Sequence, residues 1–193
     1  MSRRILEYGG WITGAVLILF GIAAITMGVN GRNEVRSALS NQKITATPDA
    51  TEITNGKLKG GEAITTGAEA RQFAKVMEHH ALDSTKGQRY AEMGRFLDAQ
   101  GNPTSDEAQA AKDPTTGQPV ENGLRNLWVT ETALTTALNM SFMAEQLSLF
   151  GIIVGIALLL TGIGFLVLSI GGALRKETVA KAAAATNVAA AVS

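Results

Sequence analysis

WITGAVLILFGIAAITMGV, residues 11–29, contains no charged side chain, and neither does QLSLFGIIVGIALLLTGIGFLVLSIGGAL, residues 146–174. At a helical rise of about 1.5 Å per residue, the 19 residues of the first run approach the roughly 30 Å hydrocarbon thickness of a bilayer. The second run is longer than a perpendicular helix needs, which predicts tilt or an extension beyond the lipid. Amides in lipid must be satisfied within their own segment, so two isolated spans are helices and a two-strand barrel is impossible.

Ser2-Arg3-Arg4 ahead of an apolar run imitates a secretory signal peptide. The run is long, however, and no clear small-x-small cleavage site follows it, which favours a retained span. Arg3 and Arg4 precede the first span, and Arg175, Lys176 and Lys181 follow the second. By the positive-inside rule both termini are expected in the cytoplasm, giving a multi-pass protein of the cell membrane. Arg32 and Arg36 run against the rule, with Glu34 between them.

Small residues recur every seven positions in both runs, at Gly14, Gly21 and Gly28 and at Gly155, Gly162 and Ser169. That period keeps one face of a helix against a neighbour. Gly10 with Gly14, Ala24 with Gly28, and Gly151 with Gly155 add small-xxx-small pairs, which let backbones approach closely. Gly14, Gly21, Gly28, Gly151, Gly155, Gly162 and Ser169 are therefore the predicted packing face. Its partner is either the other span or another protein.

Between the spans, residues 33–39 extend the first helix briefly, and Lys43-Ile44-Thr45-Ala46-Thr47 has the alternation of a short strand, ended by Pro48-Asp49. Gly56, Gly60 and Gly61 punctuate a loop anchored by Ile53, Leu58 and Ile64. Thr66-Gly67-Ala68-Glu69 is a capping box, so a helix starts there, with Phe73, Val76, Met77 and His80 on its inner face. Tyr90, Met93, Phe96 and Leu97 fall on one side of a second short helix, weakened by Gly94, and the two predict a small helical hairpin.

Residues 101–121 hold Pro103, Pro114 and Pro119 among polar side chains, a composition that predicts a mobile loop. Leu124, Leu127, Trp128, Leu134, Leu138 and Phe142 then recur at helical spacing, predicting a helix over 122–146 that runs straight into the second span. Only 12 of the 92 residues in 30–121 are Leu, Ile, Val or Phe, too few for more than a thin core.

The expected fold is thus mainly α: two transmembrane helices in a hairpin, a small helical extracytoplasmic domain, and a long helix continuous with the second span. The segments are a cytoplasmic N-terminus at 1–10, spans at 11–29 and 147–174, an extracytoplasmic domain at 30–100, the loop at 101–121, the helix at 122–146 and an Ala-rich cytoplasmic tail at 175–193.

Lys and Arg together number 17, as do Asp and Glu, and this balance gives no basic face for nucleic acid. The absence of cysteine removes disulfides, cysteine metal ligands and thiol nucleophiles. His79 and His80 are the only histidines. Adjacent helical side chains diverge by about 100°, so the two rings do not converge on one metal. His79 with Asp83 is the better-spaced pair but lacks a third ligand. No phosphate loop or nucleophile elbow is present. Asn139-Met140-Ser141 matches a glycosylation acceptor inside a predicted helix, and Glu145 is expected at headgroup level beside the second span.

The segments from His80-Ala81-Leu82-Asp83 to Tyr90-Ala91-Glu92-Met93, and from Thr135 through Ala137-Leu138-Asn139-Met140-Ser141-Phe142-Met143-Ala144-Glu145, resemble a family of small actinobacterial two-span membrane proteins. Its members share a first span, an Ile-Thr segment here at Ile44-Thr45, the histidine-to-tyrosine motif and a terminal span. The resemblance covers most of 12–174, lapses over the Pro-rich loop and says nothing of the tail. Many members bear the name aromatic ring-opening dioxygenase. Such non-haem iron chemistry wants two histidines and a carboxylate facing one metal, and this chain offers two neighbouring histidines with no third ligand.

The expectation is a non-enzymatic accessory or structural subunit of a larger membrane or envelope complex, with no cofactor or metal. Membrane lipid and a membrane protein partner or second copy are its expected contacts. An extracytoplasmic sensor or small-ligand binding module is the alternative, and a metal-dependent enzyme around His79 the third reading.

Overall fold

The structure, a computed structural model, describes the backbone of residues 2–171 and the side chains of residues 8–171. The side chains of Arg3 and Arg4, the residues Arg175, Lys176 and Lys181, and the tail 175–193 lie outside the described residues, and with them the charge pattern behind the orientation. In chain order the elements are α1 (Ser2–Asn41), α2 (Ala50–Ile53), α3 (Gly67–Ser84), β1 (Phe96–Leu97), β2 (Pro103–Thr104) and α4 (Gly123–Ile170).

α1 and α4 are long because nothing interrupts them: Pro48, Pro103, Pro114 and Pro119, all the prolines of the chain, fall outside both. Each contains an 18-residue window apolar enough to cross a membrane, with mean hydropathy 2.3 and 2.7. Only 17% and 11% of those windows are buried, so neither is the enclosed core helix of a soluble domain. Ile12, Leu19, Phe20, Leu147, Phe150 and Leu160 all present their side chains outward. Contiguous apolar surface on that scale marks a membrane or partner contact.

The described residues divide into two compact units, one taking in 2–32 and 147–171, the other Asn33–Gln146. In the second, Leu39 near the end of α1, Leu58 and Ile64 from the loops, Ala74 and Val76 of α3, and Leu138 of α4 form the main core. Leu58, Ile64 and Val76 are almost wholly buried, and each such side chain stabilises the fold by about 1.5–3 kcal/mol. The loop carrying Leu58 is closed by Thr54, whose hydroxyl donates to the Ala50 carbonyl at 2.6 Å and accepts the Leu58 amide at 3.0 Å. A smaller cluster joins Ala81, Met93 and Trp128.

α3 begins at the capping box. Thr66 Oγ1 accepts the Glu69 amide at 3.3 Å, and Glu69 Oε2 accepts the Thr66 amide at 2.9 Å. Of the strand expected around Ile44-Thr45, only an isolated bridge between Thr45 and Ala63 forms.

The short helix expected over Tyr90 to Leu97 does not exist. Residues 85–95 turn instead, and β1 follows, paired antiparallel with β2. Gly94 is the reason: a Cβ there would lie 2.8 Å from the Pro103 carbonyl carbon, so only glycine lets β2 come this close.

The loop at 101–121 also departs from expectation, being held by backbone pairing. Leu97 N–H donates to Val120 O at 2.9 Å, Ala111 N–H to Leu97 O at 2.8 Å, and Val120 N–H to Ala111 O at 2.9 Å. Two aspartates fasten its turns. Asp98 Oδ1 accepts the amides of Gln100 and Asn102 at 2.9 and 2.8 Å, and Asp113 Oδ1 those of Thr115 and Thr116 at 2.9 and 2.8 Å. Low apolar content measures only what hydrophobic burial can contribute; backbone and carboxylate hydrogen bonds are the other source of order.

The Asn102 amide holds Asp98 below its ordinary carboxylate pKa, and the Thr116 amide does the same for Asp113. A depressed folded value means that the stabilisation is complete above the unfolded pKa of about 3.9 and is lost as pH falls through the folded value. Thermal unfolding followed by circular dichroism is therefore expected to show a fall in midpoint below about pH 4. Part of that fall should be missing in the Asp98→Asn, Asp113→Asn double variant, which should be the less stable protein at pH 7.

Candidate functional site

Between α1 and α4, in the unit up to Arg32 and from Leu147, glycines bring the two backbones into contact. A Cβ on Gly21 would fall 2.7 Å from the Gly155 carbonyl oxygen, and one on Gly155 would fall 2.7 Å from that of Gly21. Gly14 and Gly162 face each other in the same way, at 2.9 and 2.7 Å, and a Cβ on Gly28 would meet the Ser148 carbonyl oxygen at 2.6 Å. Positions rise on one helix as they fall on the other, so the helices run antiparallel. Ile18, Ile25 and Ile152 fill the spaces between the glycines. Ser169 lies on the same line, buried, its hydroxyl donating to Phe165 O at 2.8 Å. Gly151 stands at the margin: a Cβ there would make an ordinary 3.8 Å contact with the Ala24 carbonyl oxygen. Within this unit the glycines of α1 therefore lie against those of α4.

In the unit 33–146, Glu145 is the deepest described charge, only 6% exposed. Arg36 Nε donates to its Oε1 at 2.8 Å, and the Gly67 amide, first in α3, donates to Oε2 at 2.6 Å. A carboxylate at a helix N-terminus meets unsatisfied amides and the positive end of the helix dipole. Gly67 permits the approach, since a Cβ would lie 2.8 Å from the Phe142 Cα and 2.9 Å from Glu145 Oε2. One side chain therefore joins α1, α3 and α4. Glu145 is expected from the sequence at headgroup level, and Arg36 runs against the orientation rule. The two in fact cancel each other's charge, and opposite charges beside the facing ends of two apolar runs were the available signal.

The same unit carries an apolar cavity of about 620 Å³, open to solvent on one side. Leu39 of α1, Ile44, Phe73 and Met77 of α3, and Leu134 and Leu138 of α4 supply its walls. Gln42 and Ser141 are the polar residues in the lining, and no charged residue contributes. Ser141 spends its hydroxyl proton on Ala137 O at 3.1 Å. The stripe Leu134, Leu138 was legible as a helix face, but the space it leaves depends on where α3 stops short of it.

The histidines point to different partners. His79 Nδ1 lies 3.3 Å from Asp83 Oδ2, and His80 Nε2 lies 2.7 Å from Asp49 Oδ2. The Thr47 hydroxyl and then the His80 imidazole hold Asp49 below its ordinary pKa. His80 is half-buried among apolar neighbours, as expected, and it also links α3 to the residue preceding α2. Among the described residues, no group of three His, Asp or Glu side chains is placed to hold a metal ion.

No family model, curated protein or solved structure matches this chain.

Replacing Gly155 and Gly162 together by leucine should cost at least about 1–3 kcal/mol per site, because the added bulk meets backbone that cannot move aside. Gly164→Leu, with no atom within 4 Å of its Cβ position, is the control. Thermal unfolding in detergent micelles should show a lowered midpoint for the double variant and an unchanged one for the control. Equal behaviour of the two would place the contact face elsewhere.

Proposed function

We propose that this chain is a two-span membrane protein whose segment 33–146 is an extracytoplasmic binding module for an apolar ligand. The cavity of about 620 Å³ carries the reading. It falls within the range of about 300–1,000 Å³ typical of small-molecule sites, and its lining offers hydrocarbon with two polar side chains to orient a guest. A ligand without charge is implied, since the walls offer an ion no counter-charge.

The spans serve as the anchor. Basic residues at Arg3, Arg4, Arg175, Lys176 and Lys181 support cytoplasmic termini. Arg36, neutralised by Glu145, weighs less against that orientation than its position alone implies. The resemblance to small actinobacterial membrane proteins enters only through this two-span plan. A subunit held in a larger complex by its small-residue faces is less supported, because those faces are occupied within the chain. No catalytic step is assigned.

Two measurements test the proposal. The chain has no cysteine, so single cysteines report orientation without interference. Ser105→Cys in intact cells should react with a membrane-impermeant maleimide, whereas Ser193→Cys should react only after lysis; labelling of Ser193→Cys in intact cells would overturn the arrangement. For the cavity, native mass spectrometry of the purified full chain should detect a bound apolar species of discrete mass. Ala38→Phe with Ala137→Phe, which places two rings in the space, should lower its occupancy at least tenfold. Equal occupancy in parent and variant would remove the cavity as the site.

A further inference from the structure

Glu131 lies on the same buried line of α4 as Leu138 and Glu145, spaced by seven residues, and is 7% exposed. Glu145 has a guanidinium and a helix-terminal amide. Glu131 has one hydrogen bond, 3.3 Å from the hydroxyl of its neighbour Thr132, and no cation among the described residues pairs with it. A carboxylate so placed is costly unless a proton or a counter-charge reaches it.

The side chain lines a pocket of about 220 Å³ between α3 and α4. Its hydroxyls have committed their protons elsewhere: Ser84 Oγ donates to His80 O at 2.8 Å, and Thr130 Oγ1 to Asn126 O at 3.0 Å. Both therefore offer only lone pairs to an occupant. His80, the remaining polar residue in the lining, turns Nε2 to Asp49 at 2.7 Å. Met77, Ala81 and Leu127 form apolar walls. The site thus combines one uncompensated negative charge, hydroxyl acceptors and hydrocarbon. An ammonium group is complementary to it, with three donors and a positive charge. At about 30 Å³ per water-sized group, the volume admits about seven such groups, enough for a short alkyl stem.

We propose that this pocket binds the ammonium end of a small alkyl amine, with Glu131 as its counter-charge. The site is separate from the larger apolar cavity, although Met77 and Leu134 line both.

The test uses the full chain in detergent micelles at neutral pH in an amine-free phosphate buffer, with n-butylammonium chloride as probe. The thermal midpoint should rise with butylammonium concentration, as it does for any ligand that binds only the folded state. Equimolar n-butanol, of the same shape but uncharged, and potassium chloride should give no such rise. Glu131→Gln keeps the shape while removing the charge, and it should weaken the apparent affinity at least tenfold. Ala38→Phe with Ala137→Phe, which fills the larger cavity, should leave the response intact, so that failure of the apolar-ligand reading and failure of this one are separable. No rise with butylammonium would mean that the pocket holds only water, and would overturn the proposal. An equal rise with butanol, or an undiminished rise in Glu131→Gln, would overturn it as well. The comparison of butylammonium with butanol on the parent protein stands even if the variant is unstable.

Discussion

Where Gly21 meets Gly155 and Gly14 meets Gly162, no side chain separates the backbones of α1 and α4. In an apolar surrounding there is no hydrophobic force to press two helices together, so their association depends on close van der Waals contact. That contact is short-ranged, and a single methyl group on either side would abolish it. Glycine every seventh residue keeps the contact on one line along both helices. The outward residues are left free to be large and apolar, as Leu19, Phe20, Phe150 and Leu160 are.

Within the unit 33–146 a different seven-residue line of α4 carries Leu138 as hydrocarbon and Glu145 and Glu131 as carboxylates. Glu145 shows how such a group is accommodated: a guanidinium, a helix-terminal amide and a glycine that makes room. Removing one partner of such a pair leaves a buried charge, which costs more than the pair itself contributes. Arg36 keeps 40% of its side chain exposed, so water screens part of that cost. Glu131 lacks this accommodation, and the contrast between two acids on one helix face singles it out.

The segment 101–121 shows how composition can mislead. Three prolines and few apolar side chains offer this segment little hydrophobic burial. They do not exclude a network in which backbone amides pair with one another and with the carboxylates of Asp98 and Asp113. Each such bond is worth little net, but leaving any one unmade in a compact turn costs more. Residues 90–97 depart from their helical pattern for a related reason. Tyr90, Met93, Phe96 and Leu97 have helical spacing, yet Gly94 is where a distant strand approaches, and a periodic pattern holds no information about a partner that close.

The sequence by itself determined the helices that depend on local or one-dimensional information: two long apolar runs, the glycine spacing that marks their inner faces, and the Thr66 to Glu69 capping box that starts α3. Each of these is a pattern carried along the chain itself. Tertiary structure alone decided what lies opposite each pattern. It put the glycine face of one helix on that of the other, paired Glu145 with Arg36 across more than a hundred residues, and left an uncompensated acid at Glu131 and an apolar cavity beside Leu138. Charges, cavities and close approaches are properties of juxtaposed surfaces, and periodicity fixes which way a residue faces without fixing what it faces.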